Sequence, residues 1–188
     1  MHICGHTHAK LGALKHRAPC RSRPDKKMPW IKSVSGPDAI RADLDLVFEA
    51  LAKSGAKKIG FAGFCFGGYA AFLASQTSAL SCAVGLHSSI KIFNFHGSNE
   101  VAAAGTLNCP QMFLQAGNDP ENTKAGGDID KALAQLPIGS QCVFREFKEM
   151  KHGWVPRGDL SQAEVRRDVE QAMDLTIAFL GTHLKGSA

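Results

Sequence analysis

Apolar and polar positions are ordered along only part of the chain. Residues 1–28 follow neither a period of 2 nor one of 3.6 and read as a disordered basic tail ahead of a folded domain spanning 29–188. From about residue 30 the pattern becomes regular. Pro37 suits the first turn of a helix, Ile40, Leu44, Val47, Phe48 and Leu51 then recur at helical spacing, and Gly55 stops the run. Lys58–Ala62 predicts a short buried strand, and the Ala-rich stretch 68–77, with Tyr69, Phe72 and Leu73, predicts a buried helix. Three further strands are expected at Cys82–Leu86, Gln111–Gln115 and Cys142–Phe147, with a weak helix over 98–105 and a short one over 127–136. The last helix, 161–183, carries Val165, Val169, Ala172, Met173, Ile177 and Leu180 on one face. Strands alternating with helices in this way imply an α/β protein, a mostly parallel sheet with helices on both faces.

Composition narrows the picture. The 188 residues are 44% apolar and 21% charged, the balance of an ordinary globular domain. No apolar run approaches the ~18 residues of a membrane span, and the first thirty residues lack the apolar stretch of a secretory signal, so the cytoplasm is the default compartment. Six cysteines are spread without a CxxC pair, which argues against a zinc ribbon or a disulfide scaffold. The net charge of +5 resides in the tail: residues 1–32 hold eight Lys or Arg against Asp25, and the remainder fourteen against sixteen acids. A slightly acidic body removes the case for nucleic-acid binding by the fold. His2, Cys4, His6 and His8 have metal-ligating chemistry but read as accidental neighbours in an irregular terminus, so no metal is expected.

The densest chemical signal is Gly63-Phe-Cys-Phe-Gly-Gly68, between a predicted strand and a predicted helix. A small-x-nucleophile-x-small pattern there describes a sharp elbow that lifts its central residue above the sheet, and Gly63 and Gly67 remove the bulk such a turn cannot hold. Gly68 lets the helix approach the strand. The central residue is Cys65, at a helix N-terminus, where the dipole and free N–H groups favour a thiolate. The chain order that accompanies such an elbow is nucleophile, acid, histidine. Asp119 follows the third strand and His152 the fourth, both at carboxyl ends of strands, where open parallel sheets gather their ligands. His152 would exchange the thiol proton through one ring nitrogen while Asp119 holds the other. Asp119 also suits a turn cap before Pro120. Arg157 could pair with a substrate carboxylate or with Asp159. Phe64, Phe66 and Trp154 could wall an apolar pocket or pack in the core. His87 follows the second strand and reads as a neutral histidine beneath the site. Cys82, Cys109 and Cys142 read as core.

Taken together, Gly-Phe-Cys-Phe-Gly-Gly, Ala-Gly-Asn-Asp and His-Gly-Trp-Val-Pro-Arg-Gly-Asp resemble the dienelactone hydrolase family of α/β-hydrolases over about residues 30–183. The resemblance implies a three-layer sandwich, a Cys65–His152–Asp119 triad cleaving small lactones or esters through a thioester, and neither metal nor organic cofactor. Phe66 N–H, at the residue after the nucleophile, would supply one oxyanion donor, and Arg157, Trp154 and Phe64 are candidate substrate-binding residues by their positions beside the triad. The resemblance also marks a departure, because no convincing strand precedes the helix at 38–54, and the domain is expected to be N-terminally truncated. The strand that presents Cys65 would then be an apolar edge, covered by a second copy or by a partner chain, and a second oxyanion donor would be wanting. Two other readings use the same residues: a non-catalytic protein that pairs this edge with a partner, and a redox-responsive thiol protein.

Overall fold

The computed structural model describes residues 24–185, with side chains from residue 28. Most of the expected tail, including His2, Cys4, His6 and His8, lies outside the described residues. Helix α1 (Pro24–Val34) nevertheless begins within the stretch assigned to it. A proline in the first turn costs no intrahelical hydrogen bond, which suits Pro24 as the first residue of α1 and Pro37 as the first of α2 (Pro37–Lys53). There follow β1 (Gly60–Phe64), α3 (Phe66–Ala74), β2 (Cys82–Leu86), α4 (Glu100–Ala104), β3 (Gln111–Ala116), α5 (Asp128–Leu133), β4 (Val143–Phe147), α6 (Trp154–Arg157) and α7 (Ala163–Leu184). A 3-10 segment, Ile90–His96, joins β2 to α4.

The four strands are parallel and lie in chain order, β1-β2-β3-β4. Because side chains alternate across a strand, successive residues feed opposite layers. Val84, Leu86, Met112, Leu114 and Ala116 meet Ala172 and Phe179 of α7 on one face. On the other, Phe113 packs with Tyr69, Phe72, Phe93, Ile129 and Leu133, and Ala83 with Ala71 and Ala74. Helices therefore cover both faces, as the alternation of elements requires.

Two details of the expected apolar faces change. Ile177 points outward and is 64% exposed. The buried line of α7 runs instead through Asp168, Ala172, Thr176 and Phe179. Two polar residues can occupy that face because Thr176 Oγ1 donates to Ala172 C=O at 2.8 Å and Asp168 pairs with Arg167 at 2.7 Å. A search for apolar periodicity passes over both. Helix α2 has no fully buried residue, and its expected face, Ile40, Leu44, Val47, Phe48 and Leu51, is only half-buried.

Strand β1 is an edge among the described residues. Cys65 N–H donates to Leu86 C=O and Ser81 N–H to Ile59 C=O, at 3.0 and 2.8 Å. In a parallel ladder these bonds turn the odd-numbered peptide groups toward β2, so those of Gly60, Ala62 and Phe64 face away from the sheet. Among the described residues, the edge expected from the sequence is present.

The turn from β1 into α3 uses a single residue. Cys65 adopts φ 53°, a left-handed value that a residue with a Cβ rarely takes. A Cβ on Gly63 would lie 2.1 Å from the carbonyl oxygen of Gly67, so the elbow closes only with glycine at 63. Gly67, expected to serve the same purpose, has open space where its Cβ would stand, because it is already in the first turn of α3. Gly68 makes room for the Ser88 side chain, not for β1: its Cβ would fall 2.3 Å from Ser88 Oγ. These positions separate in an unfolding experiment. Gly63→Ala should destabilise the fold by at least about 1–3 kcal/mol, whereas Gly67→Ala should be neutral or stabilising by up to about 1 kcal/mol; urea unfolding of the two variants checks this.

Candidate active site

Four turns at the carboxyl ends of the strands meet above the sheet. The first is the elbow itself. Its left-handed backbone sets Cys65 at the N-terminal end of α3, which Phe66 opens. The second is the turn after β3. Asp119 Oδ2 accepts from Ala116 N–H at 2.8 Å, and Asp119 N–H donates to Ala116 C=O at 3.0 Å. Turn-capping and partnership with a histidine are thus not alternatives for Asp119, because its other oxygen, Oδ1, accepts from His152 Nδ1 at 2.6 Å. The third is the turn after β4, which carries His152. Asn118 Oδ1 accepts from His152 N–H at 2.6 Å and ties this turn to the one bearing Asp119. Lys124 adds a second tie, reaching Gly117 C=O at 2.9 Å, Glu121 at 2.6 Å and Glu146 of β4 at 2.9 Å.

With Nδ1 committed to Asp119, His152 presents Nε2 to Cys65 Sγ at 3.1 Å. Cysteine, histidine and aspartate therefore form one unbroken hydrogen-bonded line. The electrostatics follow from it. The hydrogen bond from His152 is the main reason that the Cys65 thiol is lowered to about 7; burial opposes this, and Ser89, the charge of His152 and Phe66 N–H assist. His152 is raised to about 9, first by its hydrogen bond to Asp119 and then by that to Cys65, against the effect of burial. Both shifts favour thiolate beside imidazolium. Burial pushes the other thiols among the described residues the opposite way, Cys82 to about 11 and Cys109 and Cys142 also upward.

The fourth turn follows β2. His87 is fully buried at φ 41°, and its ring lies edge-on to His152 and Trp154, with centroids 5.0 and 5.2 Å away. Neither ring nitrogen has a hydrogen-bond partner among the described residues, and burial holds the ring neutral, at about 4. Gln115 Oε1 accepts from Ser88 N–H at 2.9 Å and fixes the turn to β3. One residue further, Ser89 Oγ stands 3.4 Å from Cys65 Sγ.

The remaining expected residues divide. Arg157 is exposed beside the site, its Nη2 donating to His152 C=O at 3.4 Å, while Asp159 accepts from Ser161 and Gln162 instead. Trp154, at 4% exposed, packs under the site against Phe147 and His87. Phe64 is half-buried among the residues facing α7, and Phe66 packs beside Tyr69 on the opposite side of the sheet. A depression of about 430 Å³ lies alongside His152, bordered by Lys151, Arg157 and Gln162. Ser89 and Asn118 were not singled out by the sequence. A serine in a turn is too common to stand out, and Asn118 was visible only as part of Gly117-Asn-Asp119.

Solved structures with this fold include an acylaminoacyl peptidase in complex with Z-Gly-Gly-Phe-chloromethyl ketone, at TM-score 0.62 and 15% identity over 80% of this chain and 28% of that chain. The Pyrococcus horikoshii acylaminoacyl peptidase in its orthorhombic crystal form gives TM-score 0.61 and 15% identity over the same shares, 80% and 28%. At this identity the likeness concerns the fold, an α/β-hydrolase sheet with its flanking helices, and the chain spans 28% of the length of those proteins. Curated protein sequences give no match. A family model described as the dienelactone hydrolase family matches residues 19–184, and with nearly the whole chain inside it, this protein belongs to that family.

Proposed function

We propose that the chain hydrolyses small esters or lactones, with Cys65 as nucleophile, His152 as proton carrier and Asp119 as the group that orients His152. The observation that carries this reading is the line from Cys65 Sγ to His152 Nε2 at 3.1 Å and from His152 Nδ1 to Asp119 Oδ1 at 2.6 Å. Membership of the dienelactone hydrolase family supports the reaction class.

In the proposed reaction the Cys65 thiolate attacks the substrate carbonyl carbon, and the carbonyl π pair moves onto oxygen. Phe66 N–H donates to that oxyanion. Collapse breaks the bond to the alkoxy oxygen, which leaves with the proton from His152 Nε2. The product is an alcohol and a Cys65 thioester; in a lactone the alcohol stays tethered to the acyl group. Neutral His152 then takes a proton from water as the water oxygen attacks the thioester. Collapse of this second intermediate releases the acid and restores the thiolate beside imidazolium. Asp119 holds Nδ1–H throughout, so Nε2 is always the nitrogen that faces the sulphur. Arg157, exposed next to His152, is placed to meet a carboxylate on the substrate.

Two experiments test this reading. The thiolate is the reactive form, so a thiol lowered to about 7 should be alkylated by iodoacetamide with a midpoint near that pH, ahead of Cys82, Cys109 and Cys142. Replacing His152 by alanine removes the main cause of the lowering, so the midpoint should move up toward the ordinary thiol range; peptide mass spectrometry across a pH series checks both statements. For hydrolysis of an activated ester, Cys65→Ala and His152→Ala should each abolish turnover above background. Asp119→Asn should retain roughly a hundredfold more activity than either, because it disturbs orientation without removing the base. Steady-state rates for the three variants decide, and full activity in Cys65→Ala would reject the reading.

A further inference from the structure

Ser89 sits at the start of the 3-10 segment Ile90–His96, and its C=O accepts from Ile92 N–H at 3.1 Å. A serine at the start of a helical turn ordinarily folds its hydroxyl back to accept from a backbone N–H two or three residues on. Ser89 makes no such cap. Its Oγ turns instead to Cys65 Sγ at 3.4 Å, and among the described residues this is its one hydrogen bond.

The backbone keeps the hydroxyl there. Ser89 N–H donates to Cys65 C=O at 3.0 Å, and Cys65 N–H donates to Leu86 C=O at 3.0 Å, so two bonds clamp the tip of β1 to the turn after β2. That turn is made by His87 in the left-handed region, at φ 41°, with its own N–H donating to Leu114 C=O at 2.8 Å. A non-glycine residue adopts this conformation unfavourably, and here it directs Ser89 back over Cys65. A thiolate can only accept hydrogen bonds, so the proton between the two atoms must come from the hydroxyl. The sulphur is then flanked by His152 Nε2 and Ser89 Oγ.

We propose that Ser89 is a positioning residue for Cys65, whose hydroxyl donates to the thiolate and holds the sulphur in line with His152. The inference rests on the reading of Cys65 as nucleophile and adds a residue to it. Ser89→Ala removes the donor. A hydrogen bond to a charged group is strong enough that its loss should raise the Cys65 alkylation midpoint by about one pH unit, with a roughly tenfold slower reaction at pH 6 and little change at pH 9. Ser89→Thr keeps the hydroxyl and should restore the wild-type midpoint. Thermal melting accompanies each measurement, and Ser89→Gly takes the place of the alanine variant should the latter fail to fold. The proposal is overturned if the hydroxyl-free variant keeps the wild-type midpoint, or if the threonine variant shifts as far as the alanine one. A wild-type midpoint already in the ordinary thiol range would instead defeat the reading of Cys65 as an activated nucleophile, a result separable from either of these.

Discussion

A single-residue turn between β1 and α3 governs the arrangement of everything above the sheet. Gly63 and the Gly67 carbonyl come so close that no side chain fits between them, and the strand can enter the helix only by forcing Cys65 into a left-handed conformation. Such strain persists only when surrounding structure over-determines it. Here the restraint comes from Leu86 and Ser89, which bind the Cys65 backbone from the neighbouring turn. The side chain is therefore fixed before any partner is considered, and the other turns need only reach it.

Each of those turns is also fixed to its neighbour. Asn118 ties the Asp119 turn to the His152 backbone, Lys124 links Gly117 to Glu146 on β4, and Gln115 holds Ser88. The histidine that meets Cys65 thus inherits its position from β3 as well as from β4. The chemistry shows the same interdependence: the lowered thiol and the raised imidazole have one shared hydrogen bond among their causes, and Asp119 acts on the thiol only through the ring between them.

Much of this was legible in the residues. The alternation of elements, the elbow and the order of Cys65, Asp119 and His152 lead to the observed sheet and to the observed meeting of the three side chains. What escaped had physical causes. Thr176 and Asp168 lie on the buried face of α7 because they satisfy their own polar groups locally, which no hydropathy pattern registers. Trp154, for which a pocket wall and the core were both open from its position alone, is placed in the core by packing against Phe147 and His87. Gly63 and Gly67 look equivalent in sequence but differ once the backbone is folded, since only one of them faces a carbonyl. Ser89 stands beside Cys65 through the unusual conformation of His87, two residues before it.

His87 has a consequence of its own. Burial holds its ring at about 4, below the ordinary 6.5, so the unfolded chain binds a proton there more readily than the folded one. Its contribution to stability is complete above the ordinary value and is lost as the pH falls from 6.5 toward 4. His152, five ångströms away, is raised to about 9, and its contribution runs the other way, present below 6.5 and lost as the pH rises through 9. The two edge-on rings thus load the fold from opposite sides: acid acts against the buried ring beneath the site, and alkali against the proton on the ring above it.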